Sequence, residues 1–282
     1  KHGVDLFFLI SELVIQLSMI GKGYKFENLS RFFLKRAIRI EPPYIVAVAL
    51  GTLFIFLRES IFKDGALPTP TLRQVISNLF YLVPFNKESW ISPVFWTLAI
   101  ELQFYVFCAL LFAFNIRWNP RVLLPMIFFS AVLFPKVFAG YALFPTFIDC
   151  FVVGFLVGIY KLDKINFRQL IAGLAGLCLI MLFTRSLFVS LLLTSAALFV
   201  VYLSENQGWK ALRFLGKQSY SLYLTHCLTG VTIVNLSMRY FPDLASNHGW
   251  LIIFIALFFA VLMAQLMYLF IEEPFEVKSK GI

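Results

Sequence analysis

Long apolar blocks alternate with short polar connections along the chain, and this pattern predicts helices that cross a membrane. The blocks are roughly 14 to 22 residues long, whereas a transmembrane β-barrel gives short segments of alternating residues. Nine candidate spans result, at 3–20, 40–57, 94–114, 121–135, 143–160, 169–183, 187–203, 215–236 and 250–271. We therefore expect an all-α fold, with residues 1–282 forming a single membrane-embedded domain built as a polytopic helix bundle.

Composition excludes several other classes of protein. Hydrophobic residues make up 60% of the 282 residues and charged residues 14%, against about 25% charged in an ordinary soluble domain. A soluble enzyme, a disordered chain and a disulfide scaffold are excluded by so much apolar surface. The cysteines lie inside apolar blocks without metal-ligand spacing, which predicts buried thiols and no metal site. They are Cys108, Cys150, Cys178 and Cys227.

The net charge of +9 indicates topology, because most of the Lys and Arg residues flank the spans on one side. The positive-inside rule places the basic segment 21–39 and the C-terminus in the cytoplasm, and the long connection 58–93 outside. Four prolines predict that this connection is an irregular loop, namely Pro68, Pro70, Pro84 and Pro93. The same rule leaves Lys1 outside, so we expect a further helix upstream and ten spans in the intact protein.

A basic run precedes the second predicted span. Lys35 and Arg39 are four residues apart and Arg36 and Arg39 three apart, so on a helix they form one cationic face. Two interpretations are open. The face anchors the chain to anionic lipid headgroups, or it clamps the phosphates of a nucleotide-bearing donor such as coenzyme A.

Glu101 is the only charged residue between Val94 and Asn115. A carboxylate at the centre of a span costs about 2.5–3.5 kcal/mol on insertion scales, so it faces protein or a wet cavity. Thr97 and Tyr105 fall on the same helical face. Glu101 is therefore either a helix-packing residue or, as we favour, a general acid/base or a residue that orients one.

His226 is the only histidine inside a predicted span. Ser219, Tyr223 and Gly230 share its helical face, which favours proton handling over a merely satisfied core histidine. Asp149 is interpreted as either a helix-pairing partner or a cavity-lining residue. Glu272, which with Glu273 precedes Pro274 at the end of the last span, is interpreted as an interfacial cap.

Five segments, in this order, resemble the bacterial integral-membrane acyltransferase type 3 family. They are 3–11, 35–44, 95–105, 215–226 and 271–275. The resemblance implies a ten-helix core and O-acetylation of surface polysaccharides, lipopolysaccharide O-antigen, peptidoglycan or small molecules. It also implies acyl-CoA as a cytoplasmic donor substrate with no bound cofactor, and a glycan or lipid-linked acceptor on the outer side or in the lipid plane.

Family roles carry over by position. Lys35, Arg36 and Arg39 match the basic motif expected to meet the donor. Glu101 matches the acidic residue of the W-S-L-x-x-E motif, in which Thr97 replaces Ser. His226 matches the His that ends the S-Y-S-L-Y-L motif, and with Glu101 it is an expected catalytic residue. Beyond the basic motif, we expect four residues near these motifs to bind substrate, namely Trp96, Tyr105, Ser219 and Tyr223.

The chain departs from the family in two places. The family's first helix carries an Arg and a His about ten residues apart, and His2 is not the counterpart of that His. Glu12 stands where the family usually has Gly after its F-F-x-I-S motif. The first departure implies that the missing upstream helix supplies the main catalytic base.

The sequence therefore predicts a bacterial inner-membrane O-acyltransferase whose partners are acyl-CoA, a glycan or lipid-linked acceptor and membrane lipids, but no nucleic acid. Glu101 and His226 are expected to line one cavity. A transporter or exporter of a small metabolite or glycan is the alternative, since proton relays also use intramembrane carboxylates and histidines. A scaffold in a polysaccharide-assembly complex is a third interpretation, which leaves these two residues unexplained.

Overall fold

The computed structural model describes residues 2–19, 29–62, 68–113, 143–203 and 210–281. Within these ranges every regular element is helical, which confirms the predicted all-α class. The helices are α1 (Gly3–Met19), α2 (Leu29–Phe62), α3 (Leu72–Leu79), α4 (Val83–Asn86), α5 (Phe95–Ala113), α6 (Ile148–Lys161), α7 (Phe167–Thr184), α8 (Leu187–Tyr202), α9 (Lys210–Lys217), α10 (Ser219–His226), α11 (Thr232–Tyr240), α12 (Pro242–Asn247), α13 (Gly249–Met267) and α14 (Glu273–Lys280).

Three short turns complete the description. A 3₁₀ turn at Phe144–Phe147 leads into α6. π-helical turns at Cys227–Val231 and Tyr268–Glu272 join α10 to α11 and α13 to α14. The chain forms two compact units, of which the first comprises Lys1–Leu29 and Ala99–Gln207, and the second Ser30–Leu98 and Gly208–Ile282.

Close contact between α1 and α6 organises the first unit. A Cβ on Gly154 would collide with the carbonyl oxygen of Leu9, and one on Gly158 would lie 2.9 Å from the Cβ of Gln16. The two glycines are four residues apart on one face, a spacing that lets membrane helices approach to backbone contact.

The neighbouring helices begin at side-chain caps, because Asn166 caps α7 and Ser186 caps α8.

In the second unit α10 packs against α13. Three alanines spaced four residues apart are buried along α13, namely Ala256, Ala260 and Ala264. Small residues at this spacing let a neighbouring helix approach closely. The outward side of α13 is apolar and exposed, as at Phe254 and Phe258, and this pattern suits a helix that faces lipid.

Four of the described helices are long and apolar enough to cross a membrane. They are Ser30–Ile61, Phe144–Lys161, Phe167–Thr184 and Gly249–Lys280, with Phe95–Cys108 and Leu187–Tyr202 as shorter apolar helices. The chain is thus a multi-pass membrane protein, while the predicted number of nine spans stays a prediction. The predicted span 121–135 lies outside the described residues.

Two predicted spans do not coincide with single helices of the structure. The described part of the basic segment, from Leu29 onward, belongs to the same helix as the following span, because α2 continues through Pro42 and Pro43. The predicted span 215–236 covers the end of α9, all of α10, the π-helical turn after His226 and the start of α11.

The predicted irregular loop 58–93 is also wrong in part, because residues 68–93 contain α3 and α4. Buried Asn78 organises them: its amide donates to the carbonyls of Gln74 (2.9 Å) and Ser89 (3.1 Å), and its Oδ1 accepts from the backbone N–H of Ile91. The Tyr44 hydroxyl of α2 donates to the carbonyl of Asn78 at 2.7 Å. This segment is therefore docked onto α2 and leads directly into α5.

Candidate functional site

Glu101 in the first unit faces protein, as expected for a carboxylate in an apolar helix. Its Oε1 accepts a hydrogen bond from the Ser11 hydroxyl of α1 at 3.1 Å, and a second from the hydroxyl of Tyr105 one turn further along α5. Ser11 and Glu101 are each 8% exposed, so they are covered without being fully enclosed. Ser11 was not among the predicted site residues, although it lies in the family-like segment 3–11.

Glu12, which replaces the usual family Gly, does not disturb the packing of α1. Its side chain is buried, and its Oε1 accepts a hydrogen bond from Gln16 Nε2 at 2.7 Å. Room for this pair comes from the opposing helix, because Gly154 and Gly158 of α6 carry no side chain there. Close packing of α1 and α6 therefore depends on the two glycines of α6 and does not require a small residue at position 12 of α1.

His226 in the second unit is held in one orientation by its own helix. Its Nδ1 lies 2.9 Å from the carbonyl oxygen of Tyr223 and 3.1 Å from that of Leu222. Because a carbonyl oxygen only accepts, Nδ1 carries the hydrogen and Nε2 of the neutral ring carries the lone pair. The Cys227 thiol lies 3.4 Å from Nε2 and donates to it. This tautomer is the one that a general base at Nε2 requires.

Tyr223 joins α10 to the start of α5. Its hydroxyl donates to the carbonyl of Val94 at 3.0 Å and also contacts the hydroxyl of Thr97. Thr97 is buried and donates to the same carbonyl at 3.0 Å. The ring of Tyr223 lies 5.9 Å from that of His226, centroid to centroid. The structure therefore brings together three residues that the sequence had assigned to two separate motifs.

A π-helical turn, Cys227–Val231, follows His226 directly in the chain. Such turns are rare and occur often at functional sites, since they reorient side chains within a helix. Glu101 belongs to the first unit and His226 to the second, and their expected placement in one cavity stays a prediction.

The predicted basic face lies on α2. Lys35 and Arg36 are partly exposed and Arg39 is exposed. The Arg36 guanidinium lies over the Phe32 ring, 5.1 Å from its centroid, and Arg39 interacts electrostatically with Glu272. Exposed and partly exposed cations at this end of α2 suit either a phosphate-bearing donor or lipid headgroups.

Glu272 corrects the interpretation as an interfacial cap. It is buried, and its Oε2 accepts hydrogen bonds from the hydroxyl (2.6 Å) and the backbone N–H (3.1 Å) of Ser221. The adjacent Tyr220 hydroxyl donates to the carbonyl of Ile40, next to Arg39, at 2.9 Å. Three family-like segments thus meet through direct contacts. The sequence signal for this meeting point was a carboxylate, Glu272, at the end of an apolar span.

The remaining predicted residues have local roles. Ser219 is exposed, and its hydroxyl donates to the carbonyl of Gly216 at 2.9 Å. Trp96 is partly buried in the first turn of α5, beside Thr97. Of the four cysteines, all within the described residues, Cys108 and Cys150 are buried, the other two are partly exposed, and none forms a disulfide.

Asp149 is a helix-pairing residue, one of the two roles expected for it. The fully buried carboxylate forms a bidentate ion pair with Arg185, in which the Nε–Oδ2 and Nη2–Oδ1 distances are both 2.9 Å. Nη2 also donates to the carbonyl of Thr146 at 2.6 Å. Burial alone disfavours the Arg185 charge, but the hydrogen bonds and the charge of Asp149 outweigh it and raise the pKa of Arg185.

No group of His, Cys, Asp and Glu residues in the described part of the chain could hold a metal ion. The arrangement instead offers oriented acid–base and hydroxyl groups. One set surrounds Glu101, and the other surrounds His226 and Tyr223. Both sets are suited to moving protons to and from hydroxyl groups, which is the chemistry of acyl transfer between oxygen or sulfur atoms.

Comparison with known families identifies the class to which this fold and these residues belong. A family model described as an acyltransferase domain matches residues 2–269. The chain therefore belongs to the integral-membrane acyltransferase type 3 family, as the resemblance predicted. No solved structure matches the chain.

Named relatives include two O-acetyltransferases. O-acetyltransferase OatA of Staphylococcus aureus (strain NCTC 8325 / PS 47) is 24% identical over 337 residues, which cover 99% of this chain and 53% of the relative. Peptidoglycan O-acetyltransferase OatA of Listeria monocytogenes serovar 1/2a is 25% identical over 323 residues, covering 96% and 50%. Nodulation protein 10 of Rhizobium leguminosarum bv. viciae is 28% identical over 130 residues, covering 42% and 34%. The chain thus spans about half the length of the O-acetyltransferases it matches.

Proposed function

We propose that this chain is the membrane domain of a bacterial O-acetyltransferase that esterifies hydroxyl groups of a cell-surface glycan. Its family and the names of its relatives support acyl transfer to oxygen. The observation that carries the proposal furthest is the oriented His226 ring, whose Nδ1–H is held by backbone carbonyls so that Nε2, in contact with the Cys227 thiol, is the nitrogen able to accept a proton. The bacterial cytoplasmic membrane is the proposed location.

In this proposal His226 Nε2 accepts the proton of the acceptor hydroxyl as its oxygen attacks the acyl carbonyl carbon. General base assistance of this kind contributes about 10²–10⁴-fold to a rate. Tyr223 and Thr97 fix the approach of α10 to the first turn of α5, and Trp96 provides an aromatic surface beside them. The apolar surroundings limit hydrolysis of the activated acyl group by water.

The acyl donor is less defined than the acceptor chemistry. The family supports an activated acyl donor, and neither it nor the relatives identify coenzyme A. Lys35, Arg36 and Arg39 remain the proposed contacts for a phosphate-bearing donor, and acyl-CoA stays a prediction. A purified Arg36→Ala/Arg39→Ala variant that binds acetyl-CoA as tightly as the unmodified protein would leave lipid anchoring as the role of this face.

The test of the proposed function is made in bacteria that lack O-acetylation of their surface glycans. Expression of the protein should add ester-linked acetate, measured after release from purified glycan by mild alkali. His226→Ala should lower it by about tenfold or more. His248→Ala is the matched control, because His248 is exposed at the start of α13, and it should leave acetylation unchanged.

Two results would contradict the proposal. One is glycan without ester-linked acetate although the protein is inserted at a normal level. The other is a His226→Ala variant as active as the unmodified protein. Transport of a small metabolite or glycan across the membrane without any esterification would favour the transporter alternative.

A further inference from the structure

A serine hydroxyl and a carboxylate are paired in the first unit, and the serine has no part in the function proposed above. The Ser11 hydroxyl donates to Glu101 Oε1 at 3.1 Å. We propose that Ser11 is a covalent acyl carrier, so that the transferred group passes through an ester on its Oγ. This inference rests on the proposed function and adds an intermediate to it.

Two features of the pair support a nucleophile and its base. The hydroxyl hydrogen already points at the carboxylate that would accept it. Tyr105, one helical turn from Glu101, donates to the same oxygen and so fixes the orientation of the base. A nucleophile within hydrogen-bond reach of a base, which a third group orients, is the arrangement that covalent catalysis requires.

Other hydroxyls in the described helices are engaged differently. Ser18, two turns along α1, donates to the carbonyl of Ile15 at 2.9 Å, so its hydrogen bond stays within its own helix. Ser221 also donates to a carboxylate, but it is fully buried, and its backbone N–H binds the same Glu272 oxygen. That pairing resembles a structural clamp. Ser11 instead retains 8% exposure, so its hydroxyl is less enclosed than that of Ser221.

The chemistry balances in two steps. In the first, Ser11 Oγ attacks the carbonyl carbon of an activated acyl donor R–CO–X, which is a thioester or an activated ester. Glu101 accepts the hydroxyl proton, the C–X bond breaks, and X leaves with the proton as HX. In the second, the acceptor hydroxyl attacks the Ser11 ester, the ester C–O bond breaks, and the acceptor proton returns to Ser11 Oγ.

Isotope labelling tests this intermediate without requiring knowledge of the donor. Cells that express the protein are supplied with deuterated acetate, and the protein is isolated under acidic, denaturing conditions, digested and analysed by mass spectrometry. Because acid denaturation stops both steps and preserves esters, the peptide containing Ser11 should carry labelled acetyl that alkali removes. The label should disappear with Ser11→Ala or Glu101→Gln and persist with Ser18→Ala, the matched control on the same helix.

A second variant covers the case in which Ser11→Ala fails to fold. Ser11→Cys retains a nucleophile, and its label should become a thioester that neutral hydroxylamine cleaves. A protein that acetylates glycan but carries no label on residue 11 in either the Ser or the Cys form would overturn the intermediate and leave the proposed function intact. Absence of both glycan acetylation and label would overturn both.

Discussion

The buried carboxylate of Glu272 accepts two hydrogen bonds from Ser221, one from its hydroxyl and one from its backbone N–H, although 51 positions separate the residues. This clamp fastens the π-helical turn after α13 to the first turn of α10. It places Tyr220, the neighbour of Ser221, against the end of the basic motif on α2. The orientation of α10, and hence of His226, depends on it.

We therefore predict that Glu272→Ala destabilises the protein. The change leaves the Ser221 hydroxyl and N–H buried without their acceptor, and a buried polar group that loses its partner costs about 1–3 kcal/mol. Thermal unfolding in detergent should show a lower midpoint. Exposed Glu273 is the matched control, and Glu273→Ala should shift the midpoint far less. Equal shifts for the two variants would contradict the clamp.

The fold class and the inward orientation of Glu101 were predictable because both follow from the cost of polar groups in lipid. The partner of Glu272 was not predictable, because an apolar sequence around a carboxylate indicates that the carboxylate needs a partner but does not identify it. Its identity depends on how α10 and α13 pack. The tautomer of His226 is likewise invisible in sequence, since it depends on the backbone carbonyls of Tyr223 and Leu222.

Prolines caused the error in the connection 58–93. They were interpreted as loop formers, yet Pro84 lies in the first turn of α4, where proline is well tolerated because the early N–H groups of a helix have no intrahelical acceptor. What the sequence could not show was the role of Asn78, whose side-chain amide makes three hydrogen bonds within this segment and whose backbone carbonyl accepts one from Tyr44 of α2.

The contact between α1 and α6 gives a second prediction. Gly154→Ala should destabilise the first unit, because the added Cβ collides with the carbonyl oxygen of Leu9 and overpacking typically costs about 1–3 kcal/mol. Gly216→Ala is the control, since nothing lies within 4 Å of a Cβ at that position. Unfolding midpoints in detergent provide the measurement, and a Gly154→Ala protein as stable as Gly216→Ala would refute close packing at this point.

The Asp149–Arg185 pair gives a third prediction. Asp149→Ala should cost about 3–5 kcal/mol, because it leaves a partly buried guanidinium without its counter-ion. The pair between exposed Arg73 and partly exposed Glu88 is the comparison, and Arg73→Ala should cost at most about 1 kcal/mol. A double-mutant cycle on the free energy of unfolding measures the coupling energy of each pair, which should be larger for Asp149–Arg185. Similar coupling energies in both cycles would show that the buried pair has no special role.

The fourth prediction concerns topology. Charge asymmetry predicts that the connection 58–93 lies outside and the C-terminus in the cytoplasm. In a cysteine-free background, a membrane-impermeant thiol reagent added to intact cells should modify Pro70→Cys and spare Lys278→Cys, which is exposed on α14. Permeabilised cells should allow both reactions. The reverse pattern in intact cells would invert the topology and exchange the proposed donor and acceptor sides.

The last prediction concerns the hydroxyl link between α10 and α5. Tyr223→Phe removes the hydrogen bond to Val94 and the contact with Thr97 while keeping the ring beside His226, so glycan acetylation should fall by about tenfold, the equivalent of one lost hydrogen bond of about 1.4 kcal/mol. Thr97→Val should have a similar effect, because it keeps the shape and removes the hydroxyl. Thr97→Ser is the matched control, since it retains the hydroxyl and should retain activity. If Thr97→Val is as active as Thr97→Ser, the hydroxyl link does not position His226, and the buried threonine is only a packing residue.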